Sequence, residues 1–406
     1  MDEGDVEYEP VSVKEVLAEM KDTAELMIDL SFSAVLLGSR EVAEEVLELE
    51  DRMDVLQMRA RMSLMMAARS PEDAEELAPV LGVVGATEKV SDATGDIAKV
   101  VLEEMGLPDA IRTSLPEAVE TVLRARLDTD SRFVGDTLGA LNLETETGVR
   151  VIALRRSDGD WLLSPGPETT LATGDVLLLR GTEENVAAVY ETATGAEFVA
   201  PDVEEPGIDD LERAVHSIVL MKNMSELAVD VAYSSVLYDS DALAEEVAEL
   251  EAEVDALESR FEAWVLQAAS RVDDPVALRG LMHLAESTEV ISDAALEIAE
   301  GVLRGMGTHP VVAEAVFESD EVIVRLTVGQ GAPLAGTTLG EQMVKTETGM
   351  RVIAVRHTGA DSDEWELSPG PQTRLHAGDV FIAKGTRAGA TRLGEIAGDD
   401  SLEDFE

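Results

Sequence analysis

The second half of this chain restates the first at a shift of 201 residues, rising to 204 near the end, so whatever fold forms must form twice. ETETGVRVIALRR at 144–156 faces KTETGMRVIAVRH at 345–357 with nine of thirteen positions identical. LSPGPETTLATGDV at 163–176 faces LSPGPQTRLHAGDV at 367–380 with ten of fourteen. In the weaker helical half, EKVSDATGDIA at 88 faces EVISDAALEIA at 289 with six of eleven. At 406 residues the chain exceeds one compact core, and the repeat selects four domains.

Each copy changes period part-way. Val13, Leu17, Met20, Ala24 and Met27 recur four and three residues apart, as do Val42, Val46, Leu49, Met53 and Leu56. Each set makes one apolar stripe on a helix. Val90, Ala93, Ile97 and Val101 continue this in a later helix that ends near Met105 and Gly106. The expectation is antiparallel helices packed stripe against stripe. Short Val, Ile and Leu runs follow, Val149 to Leu154 and Val176 to Leu179, bounded by Gly, Pro and Asp, which predict strands and tight turns. A last segment, Glu183 to Thr192, reads as helix. The fold class is therefore α+β, a duplicated module of an antiparallel helical bundle followed by a small β-rich domain. Its expected bounds are 1–109, 110–200, 201–310 and 311–397, with the acidic, Pro-containing stretch Pro201 to Gly207 as a hinge between copies.

Composition narrows the function. The formal net charge is −53, which repels phosphate backbones and argues against nucleic acid as a partner. Only seven residues are Lys, and an acidic, Lys-poor surface suits a salt-rich cytoplasm, where a Debye length of ~3 Å in molar salt screens self-repulsion. There is no Cys, so disulfides and thiolate chemistry are excluded. The acidic start MDEGDVEYEP is unlike a signal peptide, and no apolar run approaches the ~20 residues that span a bilayer. A cytoplasmic location is expected. No Gly-x-Gly-x-x-Gly, P-loop or Gly-x-Ser-x-Gly motif is present, so no catalytic residues are assigned and an enzyme is not expected.

The β-rich parts resemble the C-terminal subdomain of TrkA-type proteins, the RCK-C domain. The resemblance is carried by Gly135-Asp136-Thr137-Leu138, TGVRVIALRR, SPGPETTL and GDVLLLRG, and again by Gly336-Thr337-Thr338-Leu339, TGMRVIAVRH, SPGPQTRL and GDVFIAKG. It implies regulation of a potassium channel or transporter, a membrane partner, dimerisation through these domains, and a small effector, a cyclic dinucleotide in some members. Where relatives often carry Asn before the Val-Ile of that strand, this chain has Arg150 and Arg351. These arginines, with Pro165 and Pro369 of the Ser-Pro-Gly-Pro loops, are the candidate effector site, and the two copies are expected to form an internal pseudo-dimer. Rigid turns and surface ion pairs are the plainer reading of the same residues.

The helical parts are similar to PhoU, a helical regulator of phosphate uptake whose helices carry acidic pairs four apart that hold metal. Glu25 and Asp29, Glu50 and Asp54, and Glu88 and Asp92 fit that spacing, and so do Glu226 and Asp230, Glu251 and Asp255, and Glu289 and Asp293. Three pairs on three packed helices are expected to converge as oxygen ligands for a divalent cation. Each pair alone is more simply a solvated helix face, and what sets the six apart is their retention through the duplication, which common descent in an acidic chain also explains. The five His residues, at 216, 283, 309, 357 and 376, have no counterparts in the first copy and are expected to be incidental. The leading function is a regulatory subunit for cation transport. The alternative is a metal-binding regulator of phosphate transport.

Overall fold

A computed structural model describes residues 12–107, 121–162, 165–181, 183–199, 208–272, 274–306, 309–319, 321–358 and 365–399. The expected hinge at 201–207 lies outside these residues. The first bundle consists of α1 (Val13–Leu37), α2 (Arg40–Ala67) and α3 (Pro71–Leu102). The second consists of α7 (Asp209–Tyr238), α8 (Asp241–Ala269) and α9 (Arg279–Leu303). Local chemistry sets the ends. Gly38 sits at φ 60, a left-handed position that closes α1, and the Ser39 side chain accepts from Val42 N to open α2. Ser70 and Asp73 form a reciprocal capping box on α3, with Pro71 at its first turn. Helix α3 also runs through Pro79, an interruption that the apolar stripes alone do not reveal.

The β-rich domains are the same sheet twice. Strands β1 (Thr121–Arg126), β2 (Arg150–Arg155), β3 (Trp161–Leu162) and β4 (Val176–Gly181) are antiparallel in the order β1-β4-β2-β3. Strands β5 (Val322–Thr327), β6 (Arg351–Arg356), β7 (Glu366–Leu367) and β8 (Val380–Gly385) repeat that order. The register shift between Val151 and Ala153 recurs between Val352 and Ala354, so even the irregularity is duplicated. Short helices α4 (Leu138–Leu141) and α5 (Leu143–Thr147) precede β2, and α6 (Glu183–Thr194) follows β4. In the second copy α10 (Pro310–Glu318) precedes β5, α11 (Val344–Thr348) precedes β6 and α12 (Arg387–Ala397) closes the domain.

Each sheet is covered on both faces, which explains why β4 reads as a continuous apolar run rather than an alternation. Leu177 and Leu179 pack with Val186, Val189 and Ala193 of α6, whereas Leu178, Val122 and Ala153 pack with Met27, Leu30, Ala34, Val42 and Val46 of α1 and α2. In the second copy Ile323, Ala354 and Ile382 join the large core shared with α7 and α8. That core also holds Val16, Met20, Val84 and Ile97 of the first bundle, so the two bundles have one interior rather than two. Burying each such Val, Leu or Ile stabilises by ~1.5–3 kcal/mol, and here the gain depends on both halves being present. Direct bonds cross the seam as well. Lys89 of α3 pairs with Glu297 of α9, and the hydroxyls of Thr87 and Tyr233 lie 3.1 Å apart.

Candidate functional site

The basic residues of the sheets point at the helices. On β1, Arg124 shares the bundle-facing side with Val122, and its Nε donates to Glu45 Oε1 of α2 at 2.6 Å. Arg155 of β2 reaches the same oxygen at 2.6 Å and Glu48 at 2.9 Å. Glu45 is buried, and two guanidinium groups compensate its charge.

A larger network lies where all four domains meet. Lys384 of β8 is buried, and its Nζ lies 2.5 Å from Asp230 of α7, 3.1 Å from Glu25 of α1 and 3.4 Å from Glu321 beside β5. Lys21 of α1, also buried, sits 2.8 Å from Glu25 and donates to Ser319 Oγ at 2.9 Å. Arg150 of β2 and Arg180 of β4 approach Glu321 at 3.2 and 3.8 Å, and Arg180 lies 3.1 Å from Asp29. Arg351 of β6 pairs with Asp230, and Lys222 of α7 with Glu226 at 2.7 Å. At the repeat shift, Lys21 matches Lys222, Glu25 matches Glu226, Asp29 matches Asp230, Arg150 matches Arg351 and Arg180 matches Lys384. The network is built from matched residues, but its contacts are not matched throughout, since Arg150 reaches Glu321 where Arg351 reaches Asp230.

Its electrostatics follow from burial set against pairing. Burial pushes the Asp29 carboxyl up to about 6, only partly opposed by Arg180. Burial acts the same way on Glu226 and Glu321, but Lys222 and Arg351 around the first, and Lys384, Arg180 and Arg150 around the second, outweigh it and hold both well below the usual carboxylate range. For Lys384, burial disfavours the charge, yet Asp230, Glu25 and Glu321 hold its pKa well above normal.

The three acidic pairs of each copy do not converge, which corrects the expectation from spacing. Glu25, Asp29, Glu226 and Asp230, on α1 and α7, are drawn into the network by basic residues of the sheets and of their own helices. The other eight gather on two separate faces. Glu50, Asp54, Glu88 and Asp92 lie between α2 and α3, where Lys99 is 3.4 Å from Glu50 and Arg61 is 3.1 Å from Glu88. Burial raises Glu50, Glu88 and Asp92, and the neighbouring acids add to the rise. Glu251, Asp255, Glu289 and Asp293 lie between α8 and α9 with Glu258. There burial, followed by repulsion from Asp293, Glu258, Asp255 and Glu251, pushes Glu289 up to about 7. On neither face do three of these described carboxylates bring ligand atoms within 4.8 Å of one another, the closeness a shared cation needs, although fewer basic groups intervene in the second copy. The candidate effector arginines are ion-paired, Arg150 with Glu321 and Arg351 with Asp230, and remain partly exposed. Pro165 and Pro369 are half-buried in loops anchored by neighbouring residues, since Gly139 N donates to Pro167 O and Gly340 N to Pro371 O, both at 2.8 Å.

The TrkA-C domain model matches residues 122–194 and 323–398, and the PhoU domain model matches 17–101 and 218–302. The chain is a tandem PhoU and TrkA-C protein. Both families are regulatory rather than catalytic. No curated protein matches the chain. Among solved structures, PhoU from Pseudomonas aeruginosa is similar at 14% identity and a TM-score of 0.41, over 72% of this chain and 96% of that one. The GsuK RCK domain is similar at 14% identity and a TM-score of 0.18, over 70% and 64%, and the GsuK channel bound to NAD at 12% and 0.19, over 78% and 65%. The chain thus spans just under two thirds of either GsuK chain, and its family membership rests on the domain models. No described helix is long and apolar enough to cross a membrane.

Residues that pattern reading passed over do much of the work at the network, namely Lys21, Arg180, Glu321 and Lys384. A signal for three of them was available. Lys21 interrupts an apolar stripe, Arg180 and Lys384 sit inside apolar strands, and the duplication keeps a basic residue at each position in a chain with few of them.

Proposed function

We propose that this protein is a cytoplasmic regulatory subunit of a cation channel or transporter, with potassium as the cation, whose TrkA-C domains take up a small anionic effector and whose PhoU bundles relay the change to the membrane partner. The observation that carries this reading is the shared network. Arg150 and Arg351, the residues best suited to receive an anion, are held by carboxylates, and the one that holds Arg351, Asp230, belongs to bundle helix α7. An effector phosphate that takes over these guanidinium groups leaves Glu321 and Asp230 to Lys384, with Arg180 also beside Glu321. The altered charge balance biases the packing of sheet on helix, which is the two-state element such a relay requires. A cyclic dinucleotide, with two phosphates, suits the repeat-matched pair of arginines.

The test is calorimetric titration in molar KCl with cyclic di-AMP and other nucleotides. Saturable binding that is lost in Arg150→Ala and in Arg351→Ala supports the reading. No nucleotide binding to the intact protein, with Mn²⁺ or Mg²⁺ binding retained, overturns it in favour of a PhoU-like metal-binding regulator of phosphate transport. One observation favours that second reading, the α8–α9 cluster in which Glu289 is pushed up to about 7 by its acidic neighbours. Under it, changing Asp54 and Asp92 together to Asn abolishes regulation. Under the first reading that double change has little effect.

A further inference from the structure

We propose that His357, His376 and Asp379 form a site for one imidazole-seeking divalent metal ion, zinc or a close analogue, in the second TrkA-C domain alone. None of these residues takes part in the ion network. His357 follows β6, and His376 and Asp379 lie in the turn that opens β8. Asp379 is 1% exposed and fixed in place, its carboxylate accepting from the backbone N–H groups of His376 and Thr358, both at 2.8 Å. His357 Nδ1 lies 2.8 Å and His376 Nδ1 3.6 Å from the same oxygen, Asp379 Oδ2. The potential ligand atoms of the three residues all fall within 4.8 Å of one another. A metal bound to nitrogen at about 2.0–2.1 Å needs ligands grouped this closely.

The first copy shows what the fold requires here and what has been added. At the place of His357 stands Arg156, whose Nη1 lies 2.5 Å from Asp175 Oδ2, and Asp175 matches Asp379. The first copy thus balances this buried carboxylate with a permanent cation. His376 replaces Ala172 and Glu366 replaces Leu162, and neither change is needed to balance that charge. Both are ligand chemistry. Glu366 Oε2 lies 3.2 Å from His357 Nε2, so the ring stands between two carboxylates. Between two carboxylates the ring has two ways to satisfy both nitrogens, as an imidazolium that donates to both or as a neutral ring with one N–H and one lone pair on a cation. In the second, with the proton on Nε2 and donated to Glu366, Nδ1 is left to a metal shared with Asp379 and His376. Carboxylate, histidine and metal in that sequence are the usual way a ligating ring is oriented. Two nitrogens and one oxygen favour zinc, nickel or copper over magnesium or calcium, which separates this site chemically from the all-carboxylate faces. The His357 side chain is 36% exposed and that of His376 65%, so the ion can enter from solvent.

The probes are Zn²⁺ by calorimetry and Co²⁺ by visible absorption, with the full chain. We expect one equivalent per chain showing the intense bands of nitrogen-ligated, low-coordinate Co²⁺. His357→Arg, which copies the first domain and so keeps the buried ion pair, should weaken that binding at least tenfold, and His376→Ala should do likewise. Far-UV circular dichroism unchanged from the parent shows that each variant is folded. Weak octahedral Co²⁺ spectra alone, or equal binding by parent and His357→Arg, overturns the proposal, because ions held by the acidic helix faces are untouched by either change.

Discussion

Replacing Lys384 by Met tests whether the four-domain network holds the fold together. The substitution keeps most of the side-chain volume and removes one ammonium that faces three carboxylates at 2.5, 3.1 and 3.4 Å. Breaking a buried ion pair from one side costs ~3–5 kcal/mol, because a charge is left in a poorly solvated place. Each acid here keeps a second basic neighbour, Asp230 with Arg351, Glu25 with Lys21 and Glu321 with Arg150, so the lower end applies, about 3 kcal/mol. The assay is urea denaturation at constant KCl followed by circular dichroism, since urea leaves ionic screening unchanged, with the loss taken from the first transition of a multidomain chain. Asp230→Asn in the Lys384→Met background should cost much less than in the parent, with a coupling of at least ~1 kcal/mol. A loss below about 0.5 kcal/mol for Lys384→Met, the scatter of ordinary surface changes, refutes the argument.

Two other outcomes follow from the structure. Glu289 titrates at about 7 in the fold against an ordinary value of 4.5, so between those values the native state holds a proton that the unfolded chain has lost. Stability therefore falls as pH rises through that window. Glu289→Gln should flatten the fall and gain about 1 kcal/mol above it after discounting for solvent screening, as melting temperature against pH will show. Parallel curves for variant and parent would count against like-charge crowding at α8–α9. Gly280 of α9 donates its N–H to Gly106 O at 2.9 Å, and a Cβ at this position would lie 2.3 Å from that same carbonyl oxygen. Gly280→Ala should destabilise by about 1–3 kcal/mol of overpacking in the same urea assay, and a neutral result would mean that the junction between the copies yields freely.

The architecture was legible because both of its signals are local. The repeat declares itself at fixed shifts, and Leu17, Met20, Val46 and Leu49 lie on stripes that the helices bury. The alternation of β1 between Val122 and Leu123 was hidden by covering on both faces, and Pro79 inside α3 gave no sign that the helix would continue past it. At the site, spacing found the twelve acids but not which of them share a place. Pairing is a property of the tertiary fold, and Lys384 meets Asp230 across 154 positions of sequence. Lys21 and Lys384 were overlooked because lysine is ordinarily a surface residue, whereas these two are buried among carboxylates. The histidines were set aside for having no counterparts, and the difference between Arg156 and His357 gains meaning only once Asp175 and Asp379 are seen in equivalent turns.

Because the two halves share a single interior and are joined by covalent chain, their association does not obey mass action. A regulator assembled from separate identical subunits dissociates on dilution and must keep both subunits alike, since one gene encodes each. Here the partner is always present, at any cellular abundance, and each half is free to drift on its own. An Arg on one side can become a His on the other without being imposed twice. The chain therefore presents two unequal faces, one with Arg156 on its buried carboxylate and the other with His357.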